Sequence, residues 1–293
     1  MPGPPTMTVY RTFEQTELDI QYTARTGAPD WESFIREGSE ESARVRAAMG
    51  HIPNMAYGPT RDEVLDVFPT TRGGAPIVVF IHGGYWRMLS KDDVSCFAAT
   101  FVPAGAVYVA VNYSLAPRAS IDQIVQQNRA ALAWVYCNAR TIGGDPDRIF
   151  VNGRSAGGHL VGMMLSTDWE GDYGLPANLI KGGCAVSGIY DLEPVRLSSV
   201  NEWAKLDVEA AHRNSPIRHL PKVGCPLIVA YGTKETSEFQ RQSIDYAAAW
   251  QQQGYPCTVI PMPGCHHFAV MPELMRRESQ LTRAVLEQMR LWE

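Results

Sequence analysis

The strongest constraint on the fold is a run that is apolar at every position, Pro76 to Ile81 (PIVVFI), ending at His82-Gly83-Gly84. A half-exposed strand alternates apolar and polar residues, whereas a strand covered by helices on both faces need not, so this run predicts a strand inside a parallel sheet. Ala106 to Val111 (AVYVAV) repeats the pattern and leads through a loop containing Pro117 to a helix from about Ser120 to Arg140. Next come a turn at Gly144 to Asp147, a short strand at Arg148 to Asn152 and a helix starting just after Ser155. Further strands are expected at Gly182 to Val186, Pro226 to Tyr231 and Thr258 to Pro261, with amphipathic helices at Ser237 to Gln253 and near Pro272 to Trp292. Strands alternating with helices predict the α/β class: a doubly wound, mostly parallel sheet flanked by helices.

A chain of 293 residues fits one such domain, and no repeat or linker divides it. The stretch from Asp168 to about His219 is rich in Trp, Tyr, Pro and Gly and is expected to be a small cap inserted over the sheet edge. The formal charge of -5, with no Lys/Arg-rich run, argues against nucleic acid as a partner. The six cysteines are widely spaced without a CxxC pair, and read as reduced thiols. No secretory signal opens the chain and no apolar run reaches the roughly 18 to 20 residues of a membrane span, so a cytoplasmic location away from membranes is expected. A homodimer is compatible with the sequence.

Gly153-Arg154-Ser155-Ala156-Gly157 has the G-x-S-x-G form, in which the serine occupies a strained strand-to-helix turn and its flanks must be small for the backbone to pass. IFVN before it reads as strand and AGGHLVGMML after it as helix, so Ser155 is expected as a nucleophile at a helix N-terminus. His82-Gly83-Gly84-Tyr85-Trp86 follows the buried strand about 70 residues earlier, in the place of the oxyanion loop of esterases. Main-chain N–H groups of Gly83 or Gly84, together with that of Ala156, would face the charge that collects on an attacked carbonyl oxygen. His82 is expected to hold that loop, and Tyr85, Trp86 and Tyr113 to give the site an aromatic lining. The two motifs together predict the α/β-hydrolase fold, in which acid and then histidine follow the nucleophile.

The pair His266-His267 in PMPGCHHFAV follows the last expected strand, the usual loop for the general base, whereas His159 on the helix after Ser155 is expected to pack. Glu235, just past PLIVAYG, is the best placed acid; Asp191 in SGIYDLEP, after the preceding strand, is its rival. No HExxH or clustered His/Asp spacing occurs, so neither a metal nor any other cofactor is expected.

With these residues placed, the sequence resembles the kynurenine formamidase (arylformamidase) branch of the α/β hydrolases, close to the hormone-sensitive-lipase-like esterases. The resemblance runs from about Tyr57 to Phe268 and is carried by HGGYW at His82 to Trp86, VNYSLAP at Val111 to Pro117, GRSAGGHL at Gly153 to Leu160, SGIYDLEP at Ser187 to Pro194 and SEFQRQS at Ser237 to Ser243. It implies that the base is the histidine directly before Phe268, His267, leaving His266 as a wall residue, and that the acid lies two residues before the SEF segment, at Glu235, where the family usually has Asp. It also implies metal-free hydrolysis of an N-formyl arylamine, with a small aromatic substrate and water as partners. A carboxylesterase or amidase for another small aryl ester, amide or carbamate would use the same residues, and a catalytically silent hydrolase-fold binding protein is the alternative of a different class.

Overall fold

The computed structural model describes residues 7–292. Eight strands form one sheet: β1 Ile52–Ala56, β2 Val64–Phe68, β3 Ala75–Ile81, β4 Val107–Val111, β5 Gly144–Arg154, β6 Ile180–Val186, β7 Leu227–Gly232 and β8 Cys257–Met262, in the order β1-β2-β4-β3-β5-β6-β7-β8. From β4 onward in that order every pairing is parallel, and only β2 runs against the rest, pairing antiparallel with both β1 and β4. The helices are α1 Gln15–Gln21, α2 Trp31–Ala48, α3 Ala98–Phe101, α4 Ile121–Asn138, α5 Ala156–Leu165, α6 Trp169–Tyr173, α7 Glu193–Leu197, α8 Asn201–Ala204, α9 Val208–Arg213, α10 Ser237–Gln252 and α11 Gln280–Gln288. None of the described helices is long and apolar enough to cross a membrane.

The reason β3 is apolar throughout is visible in its packing. Side chains alternate across a strand, so Ile77, Val79 and Ile81 enter one core with Leu132, Val161 and Trp250, while Val78 and Phe80 enter the other with Phe97, Phe101 and Val285. Both faces are dry, and every residue of β3 is buried. Helix α4 starts where the chain supplies a cap: Ser120 accepts from the Gln123 N–H while the Gln123 side chain returns to the Ser120 N–H. Helix α5 is buried at all ten positions, which leaves it no polar face and fixes it against β3, β5 and β6.

Three expectations need correction. Residues 144–147 are part of β5 rather than a separate turn; the register with β3 jumps from Ala75↔Gly144 to Ile77↔Ile149, so Asp145 to Arg148 bulge out and only part of the run looks strand-like in sequence. The last helix is shorter than Pro272 to Trp292: a 3-10 turn at Met271–Leu274 is followed by α11, which Ser279 caps. The segment 168–219 is no simple cap, because it contributes the central strand β6; its later part, α7 to α9, lies beyond the strand end. The N-terminal α1 and α2, for which the sequence offered no expectation, supply the rest of the cover.

The tightest main-chain approach lies where α5 leaves the β5 turn. A Cβ on Gly157 would sit 2.1 Å from the Ile81 carbonyl oxygen and 2.8 Å from that of His82, both backbone atoms unable to yield without separating α5 from β3. Gly157→Ala should therefore lower stability by about 1–3 kcal/mol or more, read as a lower urea midpoint at unchanged slope. An unchanged midpoint would show that the helix can retreat freely.

Candidate active site

Ser155 stands between β5 and α5 with φ 58° and ψ -122°, a conformation L-residues reach only under constraint. The constraint is local: its N–H donates to the Val186 carbonyl at 2.8 Å, and its own carbonyl accepts from His159 N–H at 3.0 Å as the first bond of α5. The hydroxyl is thereby presented at the carboxyl end of the sheet, where α/β proteins place their ligands.

His267 lies in the loop after β8, its ring packed on Phe239 at 4.7 Å between centroids. Its Nε2 is 3.0 Å from Ser155 Oγ and its Nδ1 3.3 Å from Glu235 Oε2. Glu235 follows β7, and its second oxygen, Oε1, accepts from Ser187 Oγ at 2.5 Å and from the Gly232 N–H at 2.9 Å. Serine, imidazole and carboxylate are all buried and form one hydrogen-bonded chain. Burial pushes the Glu235 carboxyl up, but the bonds from His267, Ser187 and Gly232 outweigh it and hold the carboxyl below the usual carboxylate range. Burial likewise pushes His267 down; Glu235 pulls the ring back without cancelling that effect, and Arg154 opposes it, so the imidazole is neutral at neutral pH. Asp191 is elsewhere: its carboxylate accepts from the Glu193 N–H and pairs with Arg218.

The loop after β3 closes against the serine turn. A Cβ on Gly83 would lie 2.8 Å from the Arg154 carbonyl oxygen, and Gly84, at φ +97°, lies where a Cβ would meet the Met88 carbonyl oxygen at 2.0 Å. Among the described residues the N–H groups of Gly83, Gly84 and Ala156 have no main-chain acceptor, and of the three residues Gly84 lines the cavity that opens over Ser155 and His267. Tyr113 and His82 brace the loop from behind. Their rings stack at 4.0 Å, Tyr113 donates its hydroxyl proton to the His82 carbonyl, and His82 Nδ1–H donates to Gly83 O at 2.8 Å. Burial pushes the His82 ring down to about 4, which keeps it neutral.

A cavity of about 350 Å³ opens over Ser155 and His267. Of the aromatic residues expected to line it, Tyr85 does; its hydroxyl donates to the Tyr22 carbonyl at 2.6 Å and its carbonyl accepts from Trp203 Nε1 at 3.1 Å. Trp86 does not, being wholly buried with its indole N–H donated to His159 Nδ1 at 3.2 Å. His159 in turn donates Nε2–H to the Asn214 carbonyl at 2.8 Å, so it packs beneath the loop as expected. Tyr113 and His266 also lie outside the cavity lining; His266 pairs with Asp30 at 2.9 Å and accepts main-chain N–H groups from Phe268 and Ala269. The wall is built instead from Tyr22, Trp31 and Ile35 of the N-terminal segment, Trp203 of α8, and Phe268. No sequence motif joins residues so far apart, and Tyr22 and Trp31 stand among other apolar residues such as Leu18, Ile20, Phe34 and Ile35, so nothing in the N-terminal stretch singles them out.

The BD-FAE family profile matches residues 65–249. Kynurenine formamidase of Danio rerio is 33% identical over 96% of this chain and 98% of its own length, and kynurenine formamidase of Salmo salar 35% identical over 97% and 99%. Among solved structures, one from Silicibacter sp. TM1040, provisionally named a thioesterase, superposes with a TM-score of 0.80 at 28% identity, covering 91% of this chain and 97% of the other.

The N-terminal wall is pinned to α10. The Tyr22 hydroxyl donates to Glu238 Oε2 at 2.8 Å and accepts from Gln242 Nε2 at 2.8 Å, and Glu238 is also gripped by Arg241 at 2.7 Å. Tyr22→Phe removes the hydrogen bond to the buried Glu238 carboxylate, an effect of about 1.5–3 kcal/mol, and the acceptor of a Gln242 N–H, while Arg241 keeps Glu238 paired and Gln242 keeps its bond to the Asp191 carbonyl. Amide exchange in α1 should then quicken by about tenfold or more with the sheet amides unaffected. Unchanged exchange in α1 would mean that apolar packing alone holds the wall.

Proposed function

Because the chain belongs to the BD-FAE family of α/β hydrolases together with the kynurenine formamidases, and is thus a hydrolase of esters or amides, we propose that it cleaves the N-formyl group of an aryl amine such as N-formylkynurenine, using Ser155, His267 and Glu235. The observation that carries this reading is the continuous Ser155–His267–Glu235 hydrogen-bonded chain at the floor of an aromatic-walled cavity, in a chain similar over nearly its whole length to proteins named kynurenine formamidase.

In this mechanism neutral His267 accepts the Ser155 proton at Nε2 as Oγ attacks the formyl carbon. Negative charge gathers on the carbonyl oxygen, and the open N–H groups of Gly84 and Ala156 stabilise it; one such donor is worth about 2.7–4 kcal/mol in comparable sites. The imidazolium, held in its tautomer by Glu235, returns the proton to the leaving amine nitrogen. Water then enters, gives a proton to His267 and attacks the formyl-serine ester; the imidazolium passes that proton to Ser155 Oγ as the Oγ–carbon bond breaks, releasing the formyl group as formate and restoring the free serine. Ser187 acts here as a positioning residue: by occupying Oε1 with the Gly232 N–H, it leaves Oε2 of Glu235 facing the ring. The serine hydroxyl also helps hold the carboxyl ionised although it is buried.

Ser155→Ala should lower kcat by at least about 10³-fold with the fold intact; retention of several per cent of the rate would remove Ser155 from the mechanism. Glu235→Gln should be at least about tenfold more damaging than Asp191→Asn, roughly 1.4 kcal/mol of barrier, and the reverse ranking would move the acid to the β6 end. Since His267 must be neutral to work and its pKa is lowered in the fold, kcat/KM should rise with pH along a limb centred below the ordinary histidine value of about 6.5. Glu235→Gln removes the group that favours the protonated ring, so the limb should move to still lower pH; a shift upward would contradict the assignment.

The substrate is tested by kcat/KM for N-formylkynurenine, its N-acetyl analogue and short p-nitrophenyl esters. Preference for the formyl amide over the acetyl amide by about tenfold or more is expected, and a preference for the esters by that margin would favour the carboxylesterase reading.

A further inference from the structure

The loop after β3 adopts a backbone shape that its own sequence does not favour. Gly84, Tyr85 and Trp86 stand in succession at φ 97°, 50° and 58°, and only the glycine enters that region without a steric penalty. Such a stretch persists where its surroundings over-determine it. Three anchors act on it from outside the serine turn: the Tyr85 hydroxyl donates to the Tyr22 carbonyl, Trp203 Nε1–H to the Tyr85 carbonyl, and the Ala116 N–H to the Trp86 carbonyl at 2.7 Å. The fourth anchor differs in kind because it leads back to the nucleophile. Trp86 Nε1–H donates to His159 Nδ1 at 3.2 Å, the two rings meeting edge to face at 5.1 Å, and the His159 N–H donates to the Ser155 carbonyl at 3.0 Å. One residue of α5 therefore holds the serine turn by its main chain and the loop of Gly84 by its ring.

The ring is specified for this task. An indole N–H can only donate, so His159 Nδ1 carries no proton and Nε2 does, where the Asn214 carbonyl accepts it at 2.8 Å. Both nitrogens are satisfied in that one tautomer. Burial pushes the ring down to about 4, so it is neutral at neutral pH and Nδ1 keeps its lone pair for Trp86. His159 is wholly buried and absent from the cavity lining, so it touches no substrate. We propose that His159 is a positioning residue for the reaction: through Trp86 it fixes the distance from Ser155 to the Gly84 N–H, and so favours the step in which charge collects on the attacked carbonyl oxygen. The assignment rests on the reading of Ser155 as nucleophile and of the loop after β3 as the donor of that N–H. The charge exists only once Oγ attacks, so a displaced loop slows acylation while the uncharged carbonyl of the substrate binds nearly as before.

The test compares wild type with Trp86→Phe, His159→Leu and the double variant in single-turnover acylation by N-formylkynurenine and by p-nitrophenyl acetate, which separates the maximal rate from substrate binding. Rates are expressed per active site, counted by end-point labelling with a fluorophosphonate, so that a loss of folded protein does not register as a loss of rate. Each single variant should lower the maximal rate by about tenfold or more, with half-saturation changed by less than about threefold. An aryl trifluoromethyl ketone, which adds to the serine to give a charged tetrahedral adduct, should bind more weakly by the same factor as the rate falls. The double variant should be no worse than the more damaged single one, because both break the same bond. An unchanged rate per active site, a ketone affinity that survives while the rate falls, or additive losses in the double variant would overturn the role. If His159→Leu yields no folded protein, Trp86→Phe decides alone by the rate and the ketone. Activity that survives Ser155→Ala overturns the nucleophile reading and this role together, whereas an inactive Ser155→Ala beside a fully active Trp86→Phe overturns this role alone.

Discussion

The site depends on three backbone segments being allowed to touch. Where β5 turns into α5, a Cβ on Gly153 would lie 2.4 Å from the Gly157 carbonyl oxygen, one on Gly157 would strike the end of β3, and one on Gly83 would press on the serine turn itself. Missing side chains thus bring strand, helix and loop to main-chain contact. That contact holds Ser155 at a positive φ, and it brings the serine turn against the loop that carries Gly83 and Gly84. A strained residue persists only where its surroundings over-determine it. Here they do: the Val186 carbonyl, the first bond of α5 and the braced His82–Tyr113 loop all act on a few residues.

On this scaffold the electrostatics are set by burial. A carboxylate with no exposed side-chain surface would ordinarily take up a proton. Glu235 escapes this because its two oxygens receive three donors, from His267, Ser187 and Gly232, leaving one orientation for the imidazole. His267 is then neutral through burial and oriented through Glu235, which are the two conditions a base must meet before it can take a proton from a hydroxyl. Arg154 links this pair to the nucleophile: it neighbours Ser155 in the chain and its guanidinium holds the His267 carbonyl. The placement of the nucleophile and the placement of the base are therefore parts of one structure.

Much of this was legible in the sequence, and for physical reasons. The parallel strands announce themselves because a strand buried on both faces must be apolar throughout, as PIVVFI is; Ser155, Gly83 and Gly84 announce themselves because the turns they occupy tolerate so few residues. What was not legible is long-range assembly. Strand β1, IPNMA, is largely exposed and carries no pattern, and Asp66 in β2 is buried only because Lys91, 25 residues on, reaches it at 3.0 Å. Trp86 and Tyr113 look like wall residues from their place in the chain, yet three-dimensional packing turns them inward to His159 and His82. The cavity wall falls to Tyr22 and Trp31: Tyr22 is held by Glu238 and Gln242 more than 200 residues away, and Trp31 packs on Phe268.

The central claim is that Ser155 is the nucleophile and is activated by His267. A fluorophosphonate probe reads this directly, since it forms a stable adduct only with an activated hydroxyl, and peptide mapping by mass spectrometry locates the adduct. The account predicts stoichiometric modification of the peptide containing Ser155, lost in Ser155→Ala and slowed by orders of magnitude in His267→Ala. Modification at another residue, or an enzyme that still turns over its substrate with Ser155 fully blocked, would contradict it.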